Sequence, residues 1–293
     1  EKMRDKTMLD IRRVKQYSVS MFSIMILIIL TMIIINSQVR AQVKLMGAMT
    51  HQYQIKADNC YQGWIRLVNT GHKIQQVKLY QTDYRFEADG HSYYEKPGTC
   101  NRSNAGWINL SQNIVRVPPG KKIRVYYEVN VPNQRDLTGT YWSMIMVEPL
   151  PIPGQSLINN ITKPEEMLEV KQAFRYGLQI VTNVEQTKVT KIRIKNTELI
   201  YDSRHDQYRV EMELHNQGQY WIIPKVWIKL YQNKAGKEFG PFHGQQLRLY
   251  PKTSVTQKIV LKDLNPGSYS AILIVDNKDD VNVFARNYVF KIK

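Results

Sequence analysis

The chain has 293 residues, 41 Lys+Arg against 25 Asp+Glu, 43% hydrophobic residues and 10% aromatics. That composition excludes a disordered segment, a collagen-like repeat and a polytopic membrane protein. At roughly 100–200 residues per domain the length accommodates two domains, each able to bury its own core. Two cysteines are too few for a disulfide scaffold or a structural zinc site, and leave room for one bridge in an oxidising compartment.

The N-terminal segment sets the compartment. Lys2, Arg4, Lys6, Arg12, Arg13 and Lys15 form a basic leader, and the uncharged stretch from Gln16 to Val39 follows, with Met, Ile, Leu and Phe dominating Met21 to Ile35. Residues 1–41 read as a signal peptide, with Val39-Arg40-Ala41 as its cleavage site, or as an uncleaved membrane anchor. In both cases the remainder is exported, and membrane contact is confined to this segment. Removing residues 1–41 takes away seven basic and three acidic residues, which leaves 34 and 22 and a net charge of +12. Nucleic acid is not the expected partner of an exported protein. The surplus points to an anionic envelope polymer, a membrane surface or an acidic protein, or simply to solubility.

After the leader the periodicity is that of strands. Trp64 to Val68, Gln76 to Tyr80, Ile123 to Val129 and Tyr208 to Leu214 are short runs rich in β-branched and aromatic residues, mostly alternating apolar and polar. Turn signals separate them at Asn69-Thr70-Gly71, Ala88-Asp89-Gly90, Pro118-Pro119-Gly120, Asn216-Gln217-Gly218, Ala235-Gly236 and Asn265-Pro266-Gly267. No amphipathic helix is expected after residue 50. Short strands between regular turns predict an all-β fold of sandwiches or barrels.

An internal duplication sharpens the expectation. Asn69-Thr70-Gly71 precedes Val77-Lys78-Leu79-Tyr80-Gln81, and Asn216-Gln217-Gly218 precedes Ile228-Lys229-Leu230-Tyr231-Gln232. Asp136-Leu137-Thr138-Gly139-Thr140-Tyr141 leads to a strand ending at Glu148, and Asp263 to Tyr269 leads to one ending at Asp276. Two anchors in the same order predict two copies of one unit, the first longer between its anchors by 68 residues against 49. The expected division is residues 49–186 for the first sandwich and 187–293 for the second, with a short joint near Gln186 to Lys188. The extra length in the first copy, His91 to Ser111, carries Cys100, while Cys60 stands before the first strong strand. A Cys60–Cys100 disulfide is expected, and closing a loop of about 40 residues would contribute roughly 4 kcal/mol in the chain-entropy model.

Catalytic signals are absent from the sequence. The six histidines make no metal-spaced pair, and no Gly-x-Ser-x-Gly elbow, P-loop or dinucleotide fingerprint occurs. The expectation is a protein that is not an enzyme and has no metal and no cofactor. Two features stand out instead. Lys191, Arg193 and Lys195 alternate with Ile192 and Ile194, which on a strand makes a basic stripe on one face. From 168 to 180 the even positions read Leu168, Val170, Gln172, Phe174, Tyr176, Leu178 and Ile180, after a loop that begins at Pro149-Leu150-Pro151. That stripe either faces its own core throughout or exposes its N-terminal half as an overhang.

An exported pair of immunoglobulin-like sandwiches, with a long loop leading into an extended last strand of the first, resembles the periplasmic chaperones of pilus assembly. The resemblance implies that Leu168, Val170 and Phe174 are lent to a pilin-like subunit lacking its final strand, while Tyr176, Leu178 and Ile180 serve the protein's own core. It also implies a cationic anchor for the subunit's C-terminal carboxylate. Lys171, Arg175 and Lys188 lie on or near the relevant strand, and no Arg lies between Thr50 and Cys60. A second resemblance, carried by Val131-Pro132, Gly139-Thr140-Tyr141-Trp142 through Glu148 and the Asn69-Thr70-Gly71 turn, is to two-domain surface adaptors that interact with WxL proteins. It implies a first domain linked to peptidoglycan and a second that binds a surface protein. Both cover about residues 49–293 and both imply a binding role.

Overall fold

The computed structural model describes residues 43–134, 136–151, 175–184, 190–277 and 283–292. The leader, the stripe residues Leu168, Val170 and Phe174 with Lys171, and the expected joint at Gln186 to Lys188 lie outside them.

Ten strands build the first sandwich: β1 (Val43–Met46), β2 (Thr50–Ile55), β3 (Cys60–Asn69), β4 (Gln75–Phe86), β5 (Ser92–Glu95), β6 (Ile108–Leu110), β7 (Ile114–Val117), β8 (Lys122–Asn130), β9 (Gly139–Pro149) and β10 (Tyr176–Val184). One sheet runs β1-β3-β8-β6, and the other runs β2-β10-β9-β4-β5 with β7 also on β4. The leading segment therefore changes sheets: β1 is antiparallel to β3, whereas β2, four residues on, is parallel to β10. β1 starts at Val43. Alternation places one face of each strand inward. Ile65, Leu67, Leu79, Val125, Ile145, Val147, Leu178 and Ile180 meet in the core between the sheets.

Seven strands build the second: β11 (Ile192–Asp202), β12 (Gln207–Asn216), β13 (Lys225–Gln232), β14 (Glu238–His243), β15 (Ser254–Leu261), β16 (Gly267–Asp276) and β17 (Val283–Ile292). Three strands, β11-β12-β15, face four, β14-β13-β16-β17. Val210, Leu214, Ile228, Leu230, Leu249, Leu273 and Val275 fill the space between. At the start of β16 the buried Tyr269 turns its hydroxyl back to donate to Asn265 O at 2.7 Å, a tyrosine corner of the kind immunoglobulin-like sandwiches use. The fold is all-β, two immunoglobulin-like sandwiches, and the sole helical element among the described residues is the 3₁₀ turn Ala105–Trp107.

The duplicated turns are the same object in both copies. Asn69 Oδ1 accepts from Gly71 N at 2.8 Å, and Asn69 Nδ2 donates to Lys73 O and Val117 O at 2.7 and 2.8 Å. Asn216 Oδ1 accepts from Gly218 N at 2.8 Å, and its Nδ2 donates to Tyr220 O and Leu249 O at 2.7 and 3.0 Å. Each side-chain amide is buried and closes its own turn while tying it to a distant strand or bridge. Asn suits this task because it carries one acceptor and two donors on a short stem.

The insertion of the first copy is fastened by a carboxylate rather than a bridge. Asp83, buried on β4, accepts from Gly98 N at 3.3 Å, from Cys100 N at 2.7 Å and from the Ser103 hydroxyl. The expected Cys60–Cys100 disulfide is not formed, and both thiols are free. Cys60 is exposed at the start of β3, opposite Asn130 on the first sheet. Cys100 is held in the Asp83 loop beside the other sheet, where its thiol donates to Glu95 Oε2 at 3.6 Å. Cys60 thus belongs to the first sheet and Cys100 to a loop beside the other.

Candidate binding groove between the two sandwiches

Residues 43–293 form one compact unit, and β9 explains why. From Trp142 to Val147 every residue is buried, so β9 is covered on both faces. Ile145 and Val147 point into the first core. Trp142 instead packs with Val181 of β10 and with Tyr250 of the second sandwich, against Tyr84, Phe86 and Trp221. The Trp142 and Tyr250 rings stack 4.6 Å apart at 10°, and the Trp142 indole N–H donates to Tyr84 O at 2.7 Å. Such a pair contributes about 0.5–1.5 kcal/mol beyond its burial.

Polar bonds complete the junction. Thr140 N donates to Gln219 O at 2.8 Å, Trp221 N to Thr140 Oγ1 at 2.9 Å, and Tyr220 Oη to Val184 O at 3.0 Å. Gly139 adopts φ +89°, and a Cβ there would run into the Gln219 carbonyl oxygen, so glycine is required by both conformation and space. These bonds and the stacked rings join the two sandwiches directly.

A groove of about 390 Å³ runs along this junction, lined by Met49, Phe86, Met144, Gly177, Leu247 and Val255. Its polar wall is Gln179 with Arg248. Arg248 Nη1 donates to Gln179 Oε1 at 3.0 Å and to Thr50 Oγ1 at 2.8 Å, and Tyr250 Oη donates to the same Gln179 oxygen at 2.8 Å. Burial pushes the Tyr250 hydroxyl up to about 12, so it remains a donor. The guanidinium lies 4.7 Å from the Trp221 ring centroid, and its buried Nε has no partner among the described residues. No carboxylate pairs with Arg248 among the described residues. The groove therefore offers soft apolar surface from methionines and aromatics, with one guanidinium that no carboxylate of the described residues pairs.

The backbone adds a third element. Gln179 is the first β10 residue paired with β2, opposite Thr50, and its N–H donates to Met49 O at 2.9 Å. Residues two apart on a strand direct their main-chain groups to the same flank, so Gly177 N–H and C=O point that way too. The ladder with β2 starts at Gln179, whereas β9 pairs with β10 from Tyr176 onward. Among the described residues Gly177 thus has no strand partner on this flank, at the wall of the groove.

The residues singled out from sequence fall as follows. Leu178 and Ile180 are fully buried in the first core, with Tyr176 packed partly against it. Arg175 is at the mouth of β10, where its Nε pairs with Glu148 Oε1 at 3.3 Å, and Glu148 also accepts from Tyr80 Oη at 3.0 Å. Leu168, Val170, Lys171 and Phe174 lie outside the described residues. Lys191, Arg193 and Lys195 are all exposed at the edge strand β11 while Ile192 is buried. A bulge at Asn196, φ +47°, ends their register after Lys195. Arg248, Tyr250 and Gln179 were not legible as a site. The one available sign was the unbroken run Trp142 to Val147, since a strand without alternation is covered on both faces.

No family model matches the chain, and no curated protein matches it. Solved structures do. One chain from a chaperone–tip adhesin complex of CFA/I fimbriae biogenesis is 11% identical, with 84% of this chain and 98% of that one aligned and a TM-score of 0.45. The class 5 fimbriae chaperone CfaA is 11% identical over 85% of this chain and 100% of that one, at 0.42. A chain of the CsuC–CsuE chaperone–tip adhesion subunit pre-assembly complex of Acinetobacter baumannii is 12% identical over 74% and 89%, at 0.38.

Proposed function

We propose that this chain is an exported, non-enzymatic binding protein that takes up an extended segment of another protein along the open flank of β10. The observation that carries the reading is the coincidence of three things at one place: a Gly177 backbone with no β2 partner among the described residues, a methionine- and aromatic-lined groove, and an Arg248 that no described carboxylate pairs. Strand addition takes its affinity from main-chain hydrogen bonds and its selectivity from pockets for alternate side chains. A guanidinium at the end of such a groove suits a carboxylate, either a C-terminus or an acidic side chain. On this reading Leu168, Val170 and Phe174 extend the same strand toward the partner, which is a pilin-like subunit or a surface protein, and the compartment is the periplasm or cell envelope.

The test is site-specific cross-linking of the full chain in its own host. A photoreactive residue at Met49 or Met144 should cross-link to a short segment of one partner protein. The same residue at Val289, exposed on β17, should not. Cross-links from Met49 and Met144 confined to residues of this same chain would refute the proposal.

A further inference from the structure

The outer face of the β1-β3-β8-β6 sheet is remote from the groove in chemistry and in strand order. Register fixes its rows. Lys44, Val68 and Lys122 stand side by side, then Met46, Arg66 and Arg124, then Trp64 and Tyr126, and last Gln62 beside Glu128. Trp64 is 40% exposed and Tyr126 52%, although large aromatics are usually withdrawn from water. Arg66 and Arg124 lie directly opposite each other, and like charges in that relation are destabilising. Both guanidiniums lean on one indole, their carbons 4.8 and 4.9 Å from the Trp64 ring centroid. Lys44, Arg66, Lys122 and Arg124 have no carboxylate partner among the described residues. The one acid of the face, Glu128, accepts from Gln62 Nε2 at 2.9 Å.

From this layout we infer that the face docks a carboxylate-rich polypeptide segment of a partner protein, at a site separate from the β10 groove. Four cations gathered at one end of a flat face complement acid. The choice of polypeptide over polysaccharide rests on the indole: two guanidiniums occupy it, so its ring serves to hold them in place and is not left open for a sugar. Held in this way, each guanidinium presents its planar fork to a carboxylate with little further loss of side-chain freedom. Trp, Arg and Tyr clustered at the centre of a flat patch are also the residues that dominate protein–protein contacts.

The experiment measures binding of residues 42–293, which hold both sandwiches, to poly-L-glutamate and to polygalacturonate, two carboxylate polymers that differ in backbone. Poly-L-glutamate should bind. The double variant Arg66→Gln/Arg124→Gln should weaken it about tenfold or more, whereas the charge-matched Lys191→Gln/Arg193→Gln should weaken it less than about twofold. Trp64→Ala, which leaves net charge unchanged, should weaken it several-fold, with Trp64→Tyr partly restoring it. Equal losses in the two double variants would overturn the inference, because binding would then follow net charge alone. Polygalacturonate binding as tight as poly-L-glutamate, with the same dependence on Arg66 and Arg124, would overturn the polypeptide assignment.

Discussion

Arg248 of the second sandwich donates to Gln179 of the first across 3.0 Å, while its charge meets no acid among the described residues. The residue therefore closes the junction with one nitrogen and leaves its charge in the groove. If the groove receives a carboxylate, the two roles separate by substitution. Arg248→Gln retains an amide donor near Gln179 and removes the charge. Partner affinity should fall about tenfold or more, while the melting temperature drops by no more than about 2–4 °C. Unchanged co-purification of the partner with the variant would rule the charge out of binding.

The Asp83 carboxylate predicts what holds the insertion. In Asp83→Ala the Gly98 and Cys100 amides and the Ser103 hydroxyl lose their acceptor. Gly98 is exposed and Cys100 and Ser103 are half-buried, so water can replace part of what these donors lose, and a total loss of about 1–3 kcal/mol is expected. Limited proteolysis should then cut near Lys96 before any other site. A variant as resistant as the parent chain would show that the loop is held by something else.

The thiols give a prediction in pH. Burial first, then the nearby Asp83 charge and the bond to Glu95, push the Cys100 thiol up to about 11. Its thiolate is then about one part in a thousand at pH 8, and thiolate is the reactive form. Iodoacetamide should label Cys60 first, without prior reduction, and Cys100 slowly, with a rate that climbs about tenfold per pH unit up to about pH 11. Detection of a linked Cys60–Cys100 peptide by non-reducing mass spectrometry would contradict the free-thiol account.

Val170 and Phe174 separate lending from packing. If they belong to the partner-facing part of the β10 strand, Val170→Asp and Phe174→Asp should abolish partner capture and shift the melting temperature by less than about 2 °C, because exposed apolar residues add little to the fold. A charge buried in the protein's own core would cost several kcal/mol. A large fall in melting temperature for Phe174→Asp would assign that residue to the core.

What was legible in the sequence was what depends on local chemistry. Asn69 and Asn216 advertise their turns because the Asx geometry needs a short amide followed two residues later by glycine, and the duplication could be traced through them. Leu178 and Ile180 announce a core face because strand alternation has a period of two. The groove depends instead on pairs far apart in the chain: Arg248 with Thr50, Tyr250 with Trp142, Ser254 Oγ with Glu87 Oε2 at 2.9 Å. No local rule links a polar stretch such as Gly244 to Arg248 with a strand 69 residues earlier. The disulfide expectation failed for a related reason. Spacing alone cannot reveal that Cys60 belongs to the first sheet and Cys100 to a loop beside the other, nor that Asp83 already fastens the loop.

The claim that β10 offers an open edge is tested most directly by amide hydrogen exchange at Gly177 in the isolated protein and in the complex with its captured partner. In the isolated protein Gly177 should exchange far faster than Ile180 and Val181, which lie deep in the paired part of β10, and the partner should slow it toward their rates. Slow exchange at Gly177 in the isolated protein, unchanged by the partner, would mean that the edge is already satisfied and that no strand is added there.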